Sequence, residues 1–287
     1  MELFYSQVLI EDLIFPECPR WKDSKLWFSN IFADQLISIF PNGKYDTIYN
    51  IPSIGFDWLP DGSLVYIERS LTKRRVMRYT EGKAEVYCDL SDLTQFQFND
   101  LTADSKGSIY IGNTGNKMDD LNQIDKTVTA PLVLVTHDKK IKVVAENLSF
   151  PNGITISADD SRLVVAETYA SKLTVFDIQS DGTLSNGKTF AKLDNGFQPD
   201  GIFFDNRGGI WAGIAKANCC LRVNEGGEVT HKVTTIGDRC PACIMGDGNS
   251  LYLCTRGIIN PDSNKEVAKT GRIEIVHGAF YPKAGHP

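Results

Sequence analysis

The sequence predicts an all-β fold, a six-bladed β-propeller with a central metal site, and three observations carry that prediction. Six short hydrophobic strand cores recur along the chain, each preceded by a turn rich in Asp, Asn and Gly. No segment shows sustained helical periodicity. Nine to eleven positions ahead of each core stands a small or polar residue, and four of these six residues carry side-chain oxygen.

The cores are Leu26-Trp27-Phe28, Leu64-Val65-Tyr66, Ile109-Tyr110-Ile111, Leu163-Val164-Val165, Ile210-Trp211-Ala212 and Leu251-Tyr252-Leu253. Their starts are 38 to 54 residues apart, against about 40–50 for a propeller blade. The turns ahead of them, such as Pro60-Asp61-Gly62 and Ala158-Asp159-Asp160, supply residues that tolerate the left-handed backbone of tight hairpins. Further short strands follow at 36–39, 76–79, 132–136, 173–177 and 220–223. A lone blade cannot bury both faces, whereas six around an axis can, and a closed ring leaves only short edges. The segments 4–9 and 272–276 are expected to pair and close the circle. The whole chain, 1–287, is expected to be one domain. A polar insertion at 117–130 reads as a surface loop or as a rim loop over the pocket.

Of 287 residues 42% are hydrophobic, enough for a continuous core, and the net charge is −6. No basic run tracks a phosphate backbone, so nucleic acid is not an expected partner. No stretch approaches the roughly 20 apolar residues of a membrane span, so no membrane partner is expected either. The start, MELFYSQVLIEDLIF, lacks a basic segment and a cleavage site. Seven cysteines without such a signal suggest reduced thiols and a cytoplasmic protein. Cys240-Pro-Ala-Cys243 has no second pair or His to complete a zinc site and reads as buried structural thiols, as does Cys219-Cys220.

The residues ahead of the cores are Glu17, Gly55, Asn99, Asn152, Asp200 and Ala242. At these offsets each begins the first strand of its unit, the innermost strand in a propeller. Pro and Gly flank three of them, in Pro16-Glu17-Cys18-Pro19, Pro151-Asn152-Gly153 and Pro199-Asp200-Gly201. Singly, each reads as a turn former. The hairpin turns lie downstream, however, and the shared register points to a site. Carboxylate and amide oxygens suit a hard cation, Ca²⁺ first, with Mg²⁺ or Mn²⁺ behind it and Zn²⁺ more usually recruiting His or Cys. Glu17 and Asp200 balance a divalent charge.

At these residues the chain resembles the regucalcin–gluconolactonase–luciferin-regenerating enzyme family of six-bladed propellers, closest to its bacterial gluconolactonase-like branch. The resemblance runs from about residue 12 to 276. It rests on Pro16-Glu17-Cys18-Pro19-Arg20-Trp21, Asn99-Asp100, Phe150-Pro151-Asn152-Gly153-Ile154, Pro199-Asp200-Gly201-Ile202 and Thr270-Gly271-Arg272-Ile273-Glu274. It implies that Glu17, Asn152 and Asp200 ligate one divalent metal, with Asn99 facing the pocket toward substrate or metal-bound water. Two positions depart from the family pattern. Cys18 stands where many members have Gly, and Gln97 stands where sugar-lactone members often carry Arg, which puts an aldonolactone substrate in question.

The expected activity is metal-dependent opening of a small-molecule lactone, with Asp200 as general base, a role that competes with its role as ligand. Gln97, Asn99 and Tyr169 are the candidate substrate contacts. Thr168, Phe56 and Asp57 lie near strand ends, where pocket shaping and plain packing are both open. A phosphotriester hydrolase at the same metal site and a non-catalytic calcium-binding propeller are the alternatives. No Gly-x-Ser-x-Gly elbow, phosphate-binding loop or dinucleotide fingerprint is present. The four histidines show no metal spacing. The sequence leaves the oligomeric state open.

Overall fold

A computed structural model describes residues 1–116, 124–194, 196–258, 269–278 and 280–286. Residues 117–123, half of the 117–130 insertion, therefore lie outside the described residues. Two strands open the chain, β1 (Glu2–Tyr5) and β2 (Gln7–Leu13). Four antiparallel four-stranded sheets follow. The first holds β3 (Pro16–Lys22), β4 (Lys25–Asn30), β5 (Gln35–Ile39) and β6 (Tyr45–Tyr49); the second holds β7 (Ser53–Trp58), β8 (Leu64–Glu68), β9 (Arg75–Thr80) and β10 (Lys83–Asp89). The third holds β11 (Phe98–Ala103), β12 (Ile109–Asn113), β13 (Ala130–Val135) and β14 (Ile141–Leu148); the fourth holds β15 (Pro151–Ile156), β16 (Arg162–Glu167), β17 (Lys172–Ile178) and β18 (Leu184–Lys192). The rest of the chain supplies β19 (Pro199–Phe204), β20 (Ile210–Ile214), β21 (Cys219–Val223), β22 (Val229–Thr234), β23 (Arg239–Met245), β24 (Ser250–Arg256) and β25 (Gly271–His277).

The fold is all-β and propeller-like. Each hydrophobic core of the sequence is the second strand of its set, from β4 to β24. The first strands β3, β7, β11, β15, β19 and β23 each pack on the next, and β23 returns to β3. The expectation of six separate blades needs correction. Four separate four-stranded sheets are joined by one nine-stranded sheet, because the single bridge Ile214–Cys240 ties β20 to β23.

Closure also differs from the expected single pairing. β2 pairs antiparallel with β25, Val8 opposite Glu274. β1 instead runs parallel to β22, Phe4 opposite Val233. Ser6 separates the two strands; its amide donates to the Thr234 carbonyl at 3.1 Å and its hydroxyl to Glu274. The expected segment 4–9 is thus split between two strand sets.

The core lies between neighbouring sheets rather than on the axis. Leu36, Phe56, Leu64 and Tyr66 form one apolar layer, and Val164, Phe190, Ile210 and Leu221 contribute to another. All seven cysteines are free and buried. Cys220 and Cys243 bring their sulfurs within 3.2 Å, and Cys240 packs in the same layer. These are the packing roles expected of small hydrophobes.

Near the axis the inner strands approach so closely that side chains cannot intervene. A Cβ on Gly153 would sit 2.2 Å from the Asp200 carbonyl oxygen, and one on Gly55 would sit 2.7 Å from Asp100 Cα. Since the Asp200 carbonyl is backbone, it cannot rotate away. Gly153→Ala is therefore expected to cost about 3 kcal/mol, the upper range for overpacking a tight interior. Chemical denaturation measures this, and a wild-type midpoint would contradict the packing.

Candidate metal centre

Each candidate residue lies near the start of an inner strand: Glu17 in β3, Gly55 in β7, Asn99 in β11, Asn152 in β15, Asp200 in β19 and Ala242 in β23. The strand ladders explain why these positions are special. Every inner strand has a register irregularity there, between Glu17 and Arg20, Ser53 and Phe56, Phe98 and Leu101, Pro151 and Ile154, Pro199 and Ile202, and Arg239 and Ala242. A bulge lifts residues out of the alternating ladder and re-aims their side chains.

The structure brings the four oxygen-bearing candidates together. Asn99 Nδ2 donates to Asn152 Oδ1, and Asn152 hydrogen-bonds the Asp200 carboxylate. Asn152 Nδ2 also donates to Thr168 Oγ1 at 3.1 Å, while the Thr168 hydroxyl donates to the Pro199 carbonyl at 2.8 Å. With its proton committed to Pro199, Thr168 can only accept from Asn152. That fixes the amide orientation and turns Asn152 Oδ1 away, toward Asn99. Glu17 and Asn152 are buried, whereas Asn99 and Asp200 keep partial solvent contact.

The Glu17 charge reaches the Asp200 carboxyl. Burial pushes the Asp200 carboxyl well above the usual carboxylate range, and the neighbouring Glu17 and Asp100 charges raise it further. Burial likewise raises the Glu17 carboxyl to about 7, opposed by the Cys18 amide that donates to it at 2.7 Å. Two buried carboxyls with raised proton affinity form a set that a divalent cation would neutralise. The donors present are oxygens throughout, which fits a hard ion. Among the described residues no group of three His, Cys, Asp or Glu side chains could hold a metal; the axial set has two carboxylates, and its other members are amides.

Cys18 adopts φ +50°, the left-handed region that favours glycine. This is the position where the sequence departs from a common Gly, and the backbone shape is retained in spite of the side chain. Tyr169 sits in a short 3-10 turn after β16, its ring 4.8 Å from that of Phe150. Burial, then the nearby Asp200 charge, raises its phenol above the usual value, so it remains a hydrogen-bond donor. Gln97 is buried and lines a cavity of about 280 Å³ with Arg74, Thr94 and Gln95. A groove of about 470 Å³ between the first two sheets, lined by Trp27, Tyr49, Trp58 and Tyr79, contains none of the axial residues.

Of the residues left undecided by sequence, Thr168 orients a candidate ligand, as described. Asp57 and Phe56 do not share its role: Asp57 accepts the Ala103 amide at 2.9 Å, and Phe56 is core. Sequence reasoning missed two arginines. Arg20 forms a buried 2.9 Å ion pair with Asp100 and binds the Leu101 carbonyl. Arg256 lies within electrostatic reach of both Glu17 and Asp200. The cadence that exposed the axial set could not find Arg256, which ends a second strand rather than beginning a first.

Comparison with known proteins agrees with this architecture. A Staphylococcus epidermidis lactonase, drp35, is 23% identical over 259 residues, 83% of this chain and 77% of that protein. A solved luciferin-regenerating enzyme superposes with a TM-score of 0.79 at 18% identity, covering 96% of this chain and 95% of its own. A calcium-binding protein, regucalcin, from Agrobacterium tumefaciens gives 0.77 at 18% identity over 98% of both chains. At these identities the two structures speak for the fold alone. Residues 15–257 match the family described as the SMP-30/Gluconolactonase/LRE-like region, and with that span the chain belongs to this family.

Proposed function

We propose that the protein is a metal-dependent hydrolase that opens a lactone ring at the axial site. The observation that carries this reading is the burial of Glu17 and Asp200 within electrostatic reach of each other, with Asn152 held by Thr168 and hydrogen-bonded to Asp200. The family and the lactonase relative support the lactone class. The calcium-binding neighbour supports Ca²⁺ as the ion. We read the nine-stranded sheet as two blades fused by one bridge, giving six blades in a single domain. Seven free thiols support a reducing, cytoplasmic setting; among the described residues no helix is long and apolar enough to cross a membrane.

Glu17, Asp200 and Asn152 would hold the cation. When bound, a divalent ion supplies Lewis-acid polarisation of an ester carbonyl and acidifies water. The two carboxylates neutralise its charge, and Asn99, released from Asn152, turns its amide N–H toward the substrate oxygen. Asp200 accepts a proton from the attacking water. The ring carbon–oxygen bond then breaks, and the ring oxygen receives that proton. Tyr169 lines the approach with its phenol as a donor. Gln97 lines a cavity with Arg74 that contains none of the axial residues, so its amide would meet only a substrate that extends into that cavity.

A lactone panel with a phosphotriester control, run on chelated protein and after each metal is restored, tests this reading. Turnover is expected to vanish on chelation and return with Ca²⁺. Activity that survives full chelation sinks the proposal, and calcium binding without turnover of any ester favours a binding protein instead. Calcium at a hundred times its Kd is also expected to raise stability by about 2.7 kcal/mol. A thermal midpoint indifferent to the ion would show that the axial oxygens do not hold it.

A further inference from the structure

We infer that the substrate of this centre carries an anionic group, a carboxylate or a phosphate, which is held by four cations at the site's mouth: Lys126, Lys216, Arg239 and Arg256. The inference rests on the lactonase reading and narrows its substrate class.

Four separate elements deliver these side chains to one end of the inner strands. Arg239 begins β23 and lies directly across the ladder from Arg256, which ends β24. Lys216 follows β20, in a turn whose Ala217 carbonyl accepts the Cys240 amide at 3.0 Å. Its neighbour Ala215 donates to the Gln198 carbonyl at 2.9 Å, two residues before Asp200. Lys126, ahead of β13, places its ammonium 5.9 Å from the centre of the Tyr169 ring. Arg256 stacks on Phe15 at 4.6 Å and donates to the Gly257 carbonyl at 3.2 Å.

The axial carboxylates Glu17 and Asp200 act on Arg256, but no carboxylate comes within ion-pair distance of any of the four cations among the described residues. Burial, then the nearby Lys126 and Arg239 charges, lowers the Lys216 amine. The adjacent Asp125 carboxylate is occupied by Thr127, and Asp238 is exposed. Arg256 Nε, a donor, is buried and has no hydrogen-bond partner. Native interiors rarely leave such groups unmatched unless a ligand completes them. Like charges gathered in a chain of net charge −6 point the same way, because they raise the local concentration of an anion.

The chemistry balances as an ordinary hydrolysis. The acyl carbon gains a bond to the water oxygen and loses its bond to the ring oxygen. One water proton passes to that ring oxygen, and the new carboxylic acid releases the other. The product carries one more negative charge than the substrate.

The test compares matched substrates on the calcium-loaded protein: a ring carboxylate against its carboxamide, and a lactone phosphate against its unphosphorylated parent. The anionic member of at least one pair is expected to have a kcat/KM about tenfold higher, and the preferred pair identifies the group. Lys126→Ala/Lys216→Ala is expected to remove most of that ratio. Equal rates within both pairs, or a ratio unchanged in the double variant, would falsify the inference. Binding of inorganic phosphate to chelator-treated protein, measured by calorimetry, reads the cluster without catalysis and should weaken about tenfold in the same variant. Failure to bind overturns the anion site. Binding that the variant loses, with no lactone turned over, overturns the lactonase reading and its substrate while leaving the cluster in place.

Discussion

Asp200→Asn is expected to lower lactone kcat/KM by about a thousandfold or more, with the fold intact. Loss of a single preorganised electrostatic group at a developing charge already costs about 10²–10³. In the proposed mechanism Asp200 carries two loads, half of the negative charge offered to a cation and the proton acceptance required by the attacking water. Asparagine keeps the shape and the partnership with Asn152 but supplies neither. The stability readout separates this from misfolding. In the cation-free protein Asp200 is desolvated beside Glu17, and its proton affinity is raised for that reason. A neutral amide relieves that crowding of charge, so the variant should unfold no earlier than cation-free wild type. It should also lose the rise in melting temperature that calcium gives the wild type. A variant with wild-type turnover would remove Asp200 from the mechanism, and one that no longer folds would show its role to be structural.

Glu274→Ala is expected to cost about 4 kcal/mol, the largest stability loss we foresee from one substitution. The Glu274 carboxyl is completely buried. It accepts the amides of Ile236 at 2.9 Å and Gly237 at 2.8 Å, the Thr255 hydroxyl at 2.6 Å and the Ser6 hydroxyl. Truncation would strand two backbone donors and two hydroxyls away from water, each at about 1–3 kcal/mol before relaxation. The partners come from the N-terminal junction, the loop between β22 and β23, and strand β24. One side chain therefore ties the chain start to its last strands. Urea denaturation with circular dichroism is the measurement. A change below about 1 kcal/mol would mean that water replaces the carboxyl freely and that closure rests on the β1–β22 and β2–β25 ladders.

The repeat was legible because it is local. Turn residues and the alternating cores of β4, β8, β12, β16, β20 and β24 are written within a few positions of one another. The axial register was legible for the same reason, since a fixed offset from each core survives folding. The bulges at those positions were not, because no residue type marks them uniformly. Pro16 and Pro151 flank two of them, while Ser53 and Phe98 flank others with no such cue. The joining of two sheets depends on one bridge, Ile214 to Cys240, which no propensity encodes. The N-terminal segment was read as one strand because its hydrophobic pattern is continuous; Ser6 divides it only through its bond to the distant Glu274. The cations around the pocket come from loops and strand ends far apart in sequence, so neither a charge run nor a period announces them.

Residues 280–286 pack against one end of the inner strands. Lys283 bridges to Asp205 and His286 bridges to Ile156, beyond or at the finishing ends of two inner strands, and Thr155 Oγ1 seals the second contact at 2.6 Å. The Lys283 amine reaches the neighbourhood of Asp57 and Arg20 on two further sheets. This short tail forms a floor opposite Glu17 and Asp200. If the proposed axial site is the working one, substrate and product would use the end of the inner strands at which Glu17 and Asp200 stand.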